Sequence, residues 1–130
     1  MKIRRTPLPA QPATPRFKKA RKRLLSFPRA QETFPFGPQV AVYKVDGKMF
    51  ATLAIEEGVC YSNLKCDPVW ALALRKKFKS VQPGYHMNKR HWNTLTLDGS
   101  LPDPLVRKMI ELSYVLVAPL NNLTKKQKRP

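Results

Sequence analysis

From Val40 onward apolar and polar side chains alternate with a period of two, and two such runs, 40–45 and 48–55, flank Asp46-Gly47. An Asp-Gly pair in that position is a strong hairpin signal, because both residues tolerate the positive φ of a type I′ turn. Glu56-Glu57-Gly58 supplies the next turn. A third strand over 59–65 then places Cys60, Ser62 and Leu64 on one face and Tyr61, Asn63 and Lys65 on the other.

After Lys65 the period lengthens. Asp67 is a natural N-cap and Pro68 a favoured first helical residue, opening a helix to about Phe78 with Trp70, Leu74 and Phe78 on one face. Residues 92–97 alternate as a strand, with a short partner expected near Tyr85, and Asp98-Gly99 turns the chain. A last helix starts around Ser100 with Pro102 or Pro104 and runs to about Val117. Its stripe is Leu105, Met109, Leu112 and Leu116, widened by Val106, Ile110 and Val117. At the other end Thr14 and Pro15 begin a helix over 16–26, where Phe17, Ala20, Leu24 and Leu25 form a thin apolar stripe among six cations. Pro28, Pro35, Gly37 and Pro38 mark a loop whose Phe34 and Phe36 are expected to plug the edge of the core. The order α-β-β-β-α-β-β-α predicts an α+β fold in two layers, an antiparallel sheet with helices on one face.

Composition adds one domain's worth of length, 130 residues with 42% hydrophobic side chains, and a large charge imbalance. Twenty-five Lys and Arg face eight Asp and Glu, a net charge of +17, and the excess is concentrated at the ends. Residues 1–15, with Arg4, Arg5 and four prolines, read as a disordered basic arm; 16–120 read as the single domain; 121–130, with Lys125, Lys126, Lys128 and Arg129, read as a basic tail. Such a distribution favours polyanionic partners. No window approaches the ~18 consecutive apolar residues of a membrane span, and the basic start lacks an apolar signal core, so a cytoplasmic protein without membrane contact is expected. Cys60 and Cys66 on one strand would lie about 20 Å apart, too far for a disulfide, and are expected as free thiols.

Four motifs, Gly47-Lys48-Met49-Phe50, Asn63-Leu64-Lys65-Cys66-Asp67-Pro68, PGYHMNKRHWNT over 83–94 and LDGSLPD over 97–103, come in an order and spacing that resembles the MmcQ/YjbR family of small bacterial proteins. The resemblance spans roughly 24–120. It implies a compact two-layer domain similar to type III secretion chaperone subunits, and a DNA-binding protein. The short cationic first helix and the basic tail depart from the family's pattern.

Arg75, Lys76, Lys77 and Lys79 fall in the last turn of their helix, where cations complement the helix dipole. They are also a candidate phosphate-binding patch, which Lys89 and Arg90 extend into one basic edge. On the sheet face left without helices, Tyr61, Asn63 and Lys65 join Trp92, Thr94 and Thr96, so Lys65 and Trp92 complete the candidate nucleic-acid-binding set. The same face is a candidate homodimer interface. His86, Asn88, His91 and Asn93 read as a polar network that structures the loop before the last strand. Two histidines without an acidic pair or a cysteine at ligand spacing make no metal site. Paired carboxylates, a nucleophile elbow and a phosphate-cradling Gly-rich loop are missing, so no catalytic residue, cofactor or small-molecule substrate is assigned. The sequence thus points to a non-enzymatic protein binding DNA with little base readout. A protein-interaction module resembling a secretion chaperone is the alternative.

Overall fold

The computed structural model describes residues 15–118; the predicted arm and the basic tail lie outside the described residues. In chain order these form α1 (Pro15–Leu25), β1 (Ala30–Thr33), β2 (Val40–Val45), β3 (Lys48–Glu56), β4 (Val59–Lys65), α2 (Pro68–Lys77), β5 (Val81–Pro83), β6 (Trp92–Thr96) and α3 (Asp103–Val117). The strands pair antiparallel throughout and build one six-stranded sheet in the order β1-β2-β3-β4-β6-β5. The α+β expectation holds.

Local chemistry explains most of these elements. Asp46 and Gly47 adopt φ of 49° and 81° at the β2–β3 turn, the left-handed pair that a two-residue hairpin requires. Along β4 burial alternates at every residue, with Cys60, Ser62 and Leu64 inside. The β2–β3 register slips between Tyr43 and Lys44, where Tyr43 opposes Ala51 but Lys44 opposes Met49. Phe50 is the extra residue, and the bulge lets both it and Ala51 be fully buried. Asp67 caps α2, its carboxylate accepting from the Trp70 N–H at 3.1 Å.

The core lies between the sheet and the helices. Tyr43, Leu53, Leu64 and Leu95 from the strands meet Phe17, Leu24, Leu74, Met109 and Tyr114 from the helices. Helix α1 is also fastened electrostatically. Arg23 donates to both carboxylate oxygens of Asp103 at 3.1 and 2.7 Å, and Arg21 pairs with Glu32, which also accepts from the buried Tyr43 hydroxyl at 2.6 Å.

Four expectations are corrected. The segment predicted as loop contains the edge strand β1, which has no alternating apolar pattern and is held by pairing to β2. Phe34 and Phe36 are exposed; Phe27 takes the plugging position, stacked on Tyr114 at 4.7 Å between centroids and edge-on to Phe50. The strand expected near Tyr85 sits earlier, at β5, and Tyr85 falls in a turn. Finally, α3 is rotated: Ser113 and Tyr114 are buried while Leu116 is half exposed. Ser113 takes the inward position because its hydroxyl accepts from the Lys65 N–H and donates to the Phe50 carbonyl, joining β4 to β3. Among the described residues no helix is long and apolar enough to cross a membrane.

Candidate nucleic-acid interface

The site is organised by the loop 84–91, which links β5 to β6. Its base is Gly84, whose N–H donates to the Trp92 carbonyl at 2.8 Å. A Cβ at Gly84 would fall 2.7 Å from that of Trp92 and 2.9 Å from the Trp92 oxygen, so only glycine allows this approach. His86 turns the chain with φ of 60°. Asn88 then holds the far side: its side-chain oxygen accepts from the Arg90 N–H at 2.9 Å, and its carbonyl accepts from the His91 N–H at 3.2 Å. The His91 carbonyl in turn accepts from the Cys66 N–H at 2.8 Å, tying the loop to the end of β4.

Arg75 joins this loop to α2. Its Nε donates to the Asn93 side-chain oxygen at 2.7 Å, and its Nη2 donates to the carbonyls of Lys89 and Trp92. Asn93, almost fully buried, passes the link on through Nδ2 to the Ala71 carbonyl in α2. The guanidinium is therefore committed to positioning the loop. It brings the basic last turn of α2 against the segment that carries Lys89 and Arg90. Lys76, Lys77, Lys79, Lys89 and Arg90 are exposed, and Lys77 lies over the Phe78 ring at 5.7 Å.

Of the four residues expected to structure the loop, Asn88 and Asn93 act through their side-chain amides and His91 through its backbone. The His86 ring packs on Tyr85 at 4.0 Å. Among the described residues no three of His, Cys, Asp and Glu are gathered as a metal site.

On the sheet face opposite the helices, Tyr61 pairs with Thr96, Asn63 with Thr94 and Lys65 with Trp92. Trp92 is only 8% exposed, beneath Gly84 and the loop. Tyr85 reaches back over this face: its N–H donates to the Thr94 hydroxyl at 2.8 Å, and its carbonyl accepts from the Asn63 amide at 3.5 Å. Between loop and sheet lies a groove of about 500 Å³. Tyr61 and Tyr85 line it, Asn63 and Thr94 are in its lining, and Lys89 and Glu56 add a charge of each sign. Neither Tyr85 nor the anchoring role of Arg75 is legible from spacing, since both arise from contacts between segments distant in sequence.

Burial, aided for Cys66 by the neighbouring Asp67 charge, pushes the Cys60 thiol up to about 12 and that of Cys66 up to about 11; both cysteines are free and buried.

Residues 25–116 match the protein-family model YjbR. The chain belongs to the YjbR family. It is 37% identical over 98 residues to the uncharacterized protein YbdF of Escherichia coli O157:H7, a match covering 75% of this chain and 80% of that one. To the uncharacterized protein YjbR of Escherichia coli K12 it is 39% identical over 71 residues, 55% of this chain and 60% of the relative. Among solved structures, a Deinococcus radiodurans protein, DR2400, with a DUF419 domain, superposes with a TM-score of 0.74 at 36% identity, covering 88% of this chain and 83% of that one. A Pseudomonas syringae protein superposes with a TM-score of 0.68 at 28% identity, covering 77% and 97%. This YjbR-family chain thus shares its fold with solved structures from two bacteria.

Proposed function

We propose that this YjbR-family protein is a non-enzymatic DNA-binding protein that holds the phosphate backbone along the edge formed by Lys76, Lys77, Lys79, Lys89 and Arg90. One observation carries the proposal. Between Asp67 and Asp98 there is no acidic residue, and the Arg75 bridge sets the cations of α2 beside those of the loop. Elsewhere several cations meet acids, Lys19 and Arg23 at Asp103, Arg21 at Glu32 and Lys108 at Glu111, whereas the run 68–97 contains no acid to pair with. Among the described residues, Lys76, Lys79 and Arg90 have no carboxylate partner. Unmatched cations on one edge gain most from phosphate, because binding releases counterions condensed on the DNA.

Such contacts position the duplex and read little sequence. Four to six of them give a slope of log K against log salt of about −4 to −5. A salt titration with duplex DNA tests this, using wild type, a K76Q/K77Q/K79Q variant and a K89Q/R90Q variant. Each variant should bind every sequence more weakly and flatten the slope by about one unit per lost contact. Binding that does not weaken between low and physiological salt would overturn the mechanism.

A second reading rests on Val69 and Leu72, exposed at 77% and 56% on the outer face of α2. Exposed apolar side chains on a helix suit a protein partner, as expected for a chaperone-like module. The DNA reading is favoured because the same helix leads directly into the cationic turn.

A further inference from the structure

We propose that the groove between the loop 84–91 and the sheet takes one unstacked nucleobase of a single-stranded segment, with the adjoining phosphate on the basic edge. The inference rests on the DNA-binding proposal above and extends it to a second form of nucleic acid.

The chemistry of the groove selects a flat, polar, uncharged ring. Tyr61 and the half-exposed Tyr85 place two aromatic side chains in its lining, and any base stacks on an aromatic ring because every base has a π-face. Asn63 and Thr94 are joined to each other, the Thr94 hydroxyl donating to the Asn63 side-chain oxygen and accepting from the Tyr85 N–H, so the second Asn63 amide hydrogen and the second lone pair of its oxygen are what remain for a heterocycle's edge. Its volume, about 500 Å³, lies in the range of sites that enclose small ligands. Glu56 in the lining disfavours an anion inside. Lys89 does the opposite, and its ammonium is anchored at 3.2 Å on the Gly84 carbonyl, fixing a cation that belongs both to the groove and to the edge. A phosphate outside the groove reaches Lys89, and a neutral base within it meets no repulsion from Glu56. A paired base inside a duplex cannot leave its stack without an unpairing cost, so the groove favours single strands.

The deciding geometry is built by the backbone. The Tyr85 N–H on Thr94 and the Tyr85 carbonyl on the Asn63 amide fix where that aromatic residue crosses the sheet. Trp92, buried below, supports the loop and leaves stacking to the tyrosines.

The test measures anisotropy of three labelled ligands of equal charge on the full chain at fixed salt: a short single-stranded oligonucleotide, the same backbone without bases, and a duplex. The single strand is used in DNA and RNA form, which assigns the source of the base. Tyr85→Ala should weaken single-strand binding by about 5- to 150-fold and leave duplex binding unchanged. Tyr85→Phe, which keeps the ring, should restore it. Tyr85 is half exposed, so the variant is expected to fold, and it carries the test even if Tyr61→Ala does not fold. A base-free backbone that binds as tightly as the intact strand overturns the groove proposal. So does a Tyr85→Ala variant that weakens strand and duplex alike, or neither. Selective loss on the single strand, together with duplex binding unaffected by K76Q/K77Q/K79Q, would uphold the base site and refute Lys76, Lys77 and Lys79 as part of the phosphate-binding edge.

Discussion

Arg75 shows how one side chain in a basic run differs from its neighbours. Its guanidinium donates to Asn93 and to the carbonyls of Lys89 and Trp92, while Lys76 and Lys77 point to solvent. A hydrogen bond from a charged donor contributes about 1.5 to 3 kcal/mol, and the glutamine amide can replace part of the set, so Arg75→Gln should cost roughly 1 to 3 kcal/mol of stability. Thermal unfolding should show it as a Tm lower by several degrees. DNA affinity should also fall, because Lys89 and Arg90 lose their placement, but with the salt slope changed little. Lys76→Gln is expected to give the reverse pattern, an unchanged Tm and a flatter slope. The buried thiols give a second test at this scale. In the unfolded chain both ionise near the ordinary value of 9.0, whereas in the fold Cys66 and Cys60 keep their protons to about 11 and about 12. Their contribution to stability is complete below pH 9 and is lost as pH rises through that window. Alkylation at pH 8 should be slow on native protein and fast in denaturant, and rapid alkylation of the native thiols would contradict their burial.

At the scale of elements, α1 is a short helix whose attachment depends on few groups. The Arg23 guanidinium, followed by Lys19, holds the Asp103 carboxyl down at about 2, below its ordinary 3.8. A lowered carboxylate pKa stabilises the fold above about pH 4, and that contribution disappears as pH falls through about 2. Melting curves of wild type and Asp103→Asn should therefore differ at pH 5 and converge near pH 2; a constant difference would show that the pair does not fasten the helix. Elements specified by local chemistry are those the sequence reveals. Asp46-Gly47 and the β4 alternation act over a few residues, and Asp67-Pro68 starts α2 where expected. The edge strand β1 was not legible, because Ala30, Gln31, Glu32 and Thr33 carry no period of two and owe their conformation to β2. In α3 a hydropathy stripe centred on Leu105, Leu112 and Leu116 could not register Ser113, which is buried for its hydrogen bonds rather than its hydrophobicity. The candidate site divides the same way. Its cations are visible as an acid-free run, but the Arg75 bridge and the crossing of Tyr85 over Thr94 depend on strand order.

Over the whole molecule, charge and core occupy different parts of the chain. The buried hydrophobic residues of the described structure run from Phe17 to Ala118, and residues 15–118 carry 18 Lys and Arg against all eight acids. Lys2, Arg4, Arg5, Lys125, Lys126, Lys128 and Arg129 lie outside that span with no acid beside them. Removing 1–14 and 124–130 should therefore leave the Tm within about 4 °C, equivalent to less than about 1 kcal/mol for a domain of this size. DNA affinity should fall nonetheless, and the salt slope should flatten by about 0.9 for each phosphate that the terminal cations neutralise. The size of that change apportions binding between the ends and the folded edge. If both contribute, combining the truncation with K76Q/K77Q/K79Q removes most of the salt dependence, since distant charges act on separate phosphates and their effects add. A truncated protein that loses all salt-dependent binding while its Tm is unchanged would place the interface on the terminal segments and leave the Lys76 to Arg90 edge without a role. A slope that survives truncation and collapses only with the triple substitution places it where Arg75 has joined α2 to the loop.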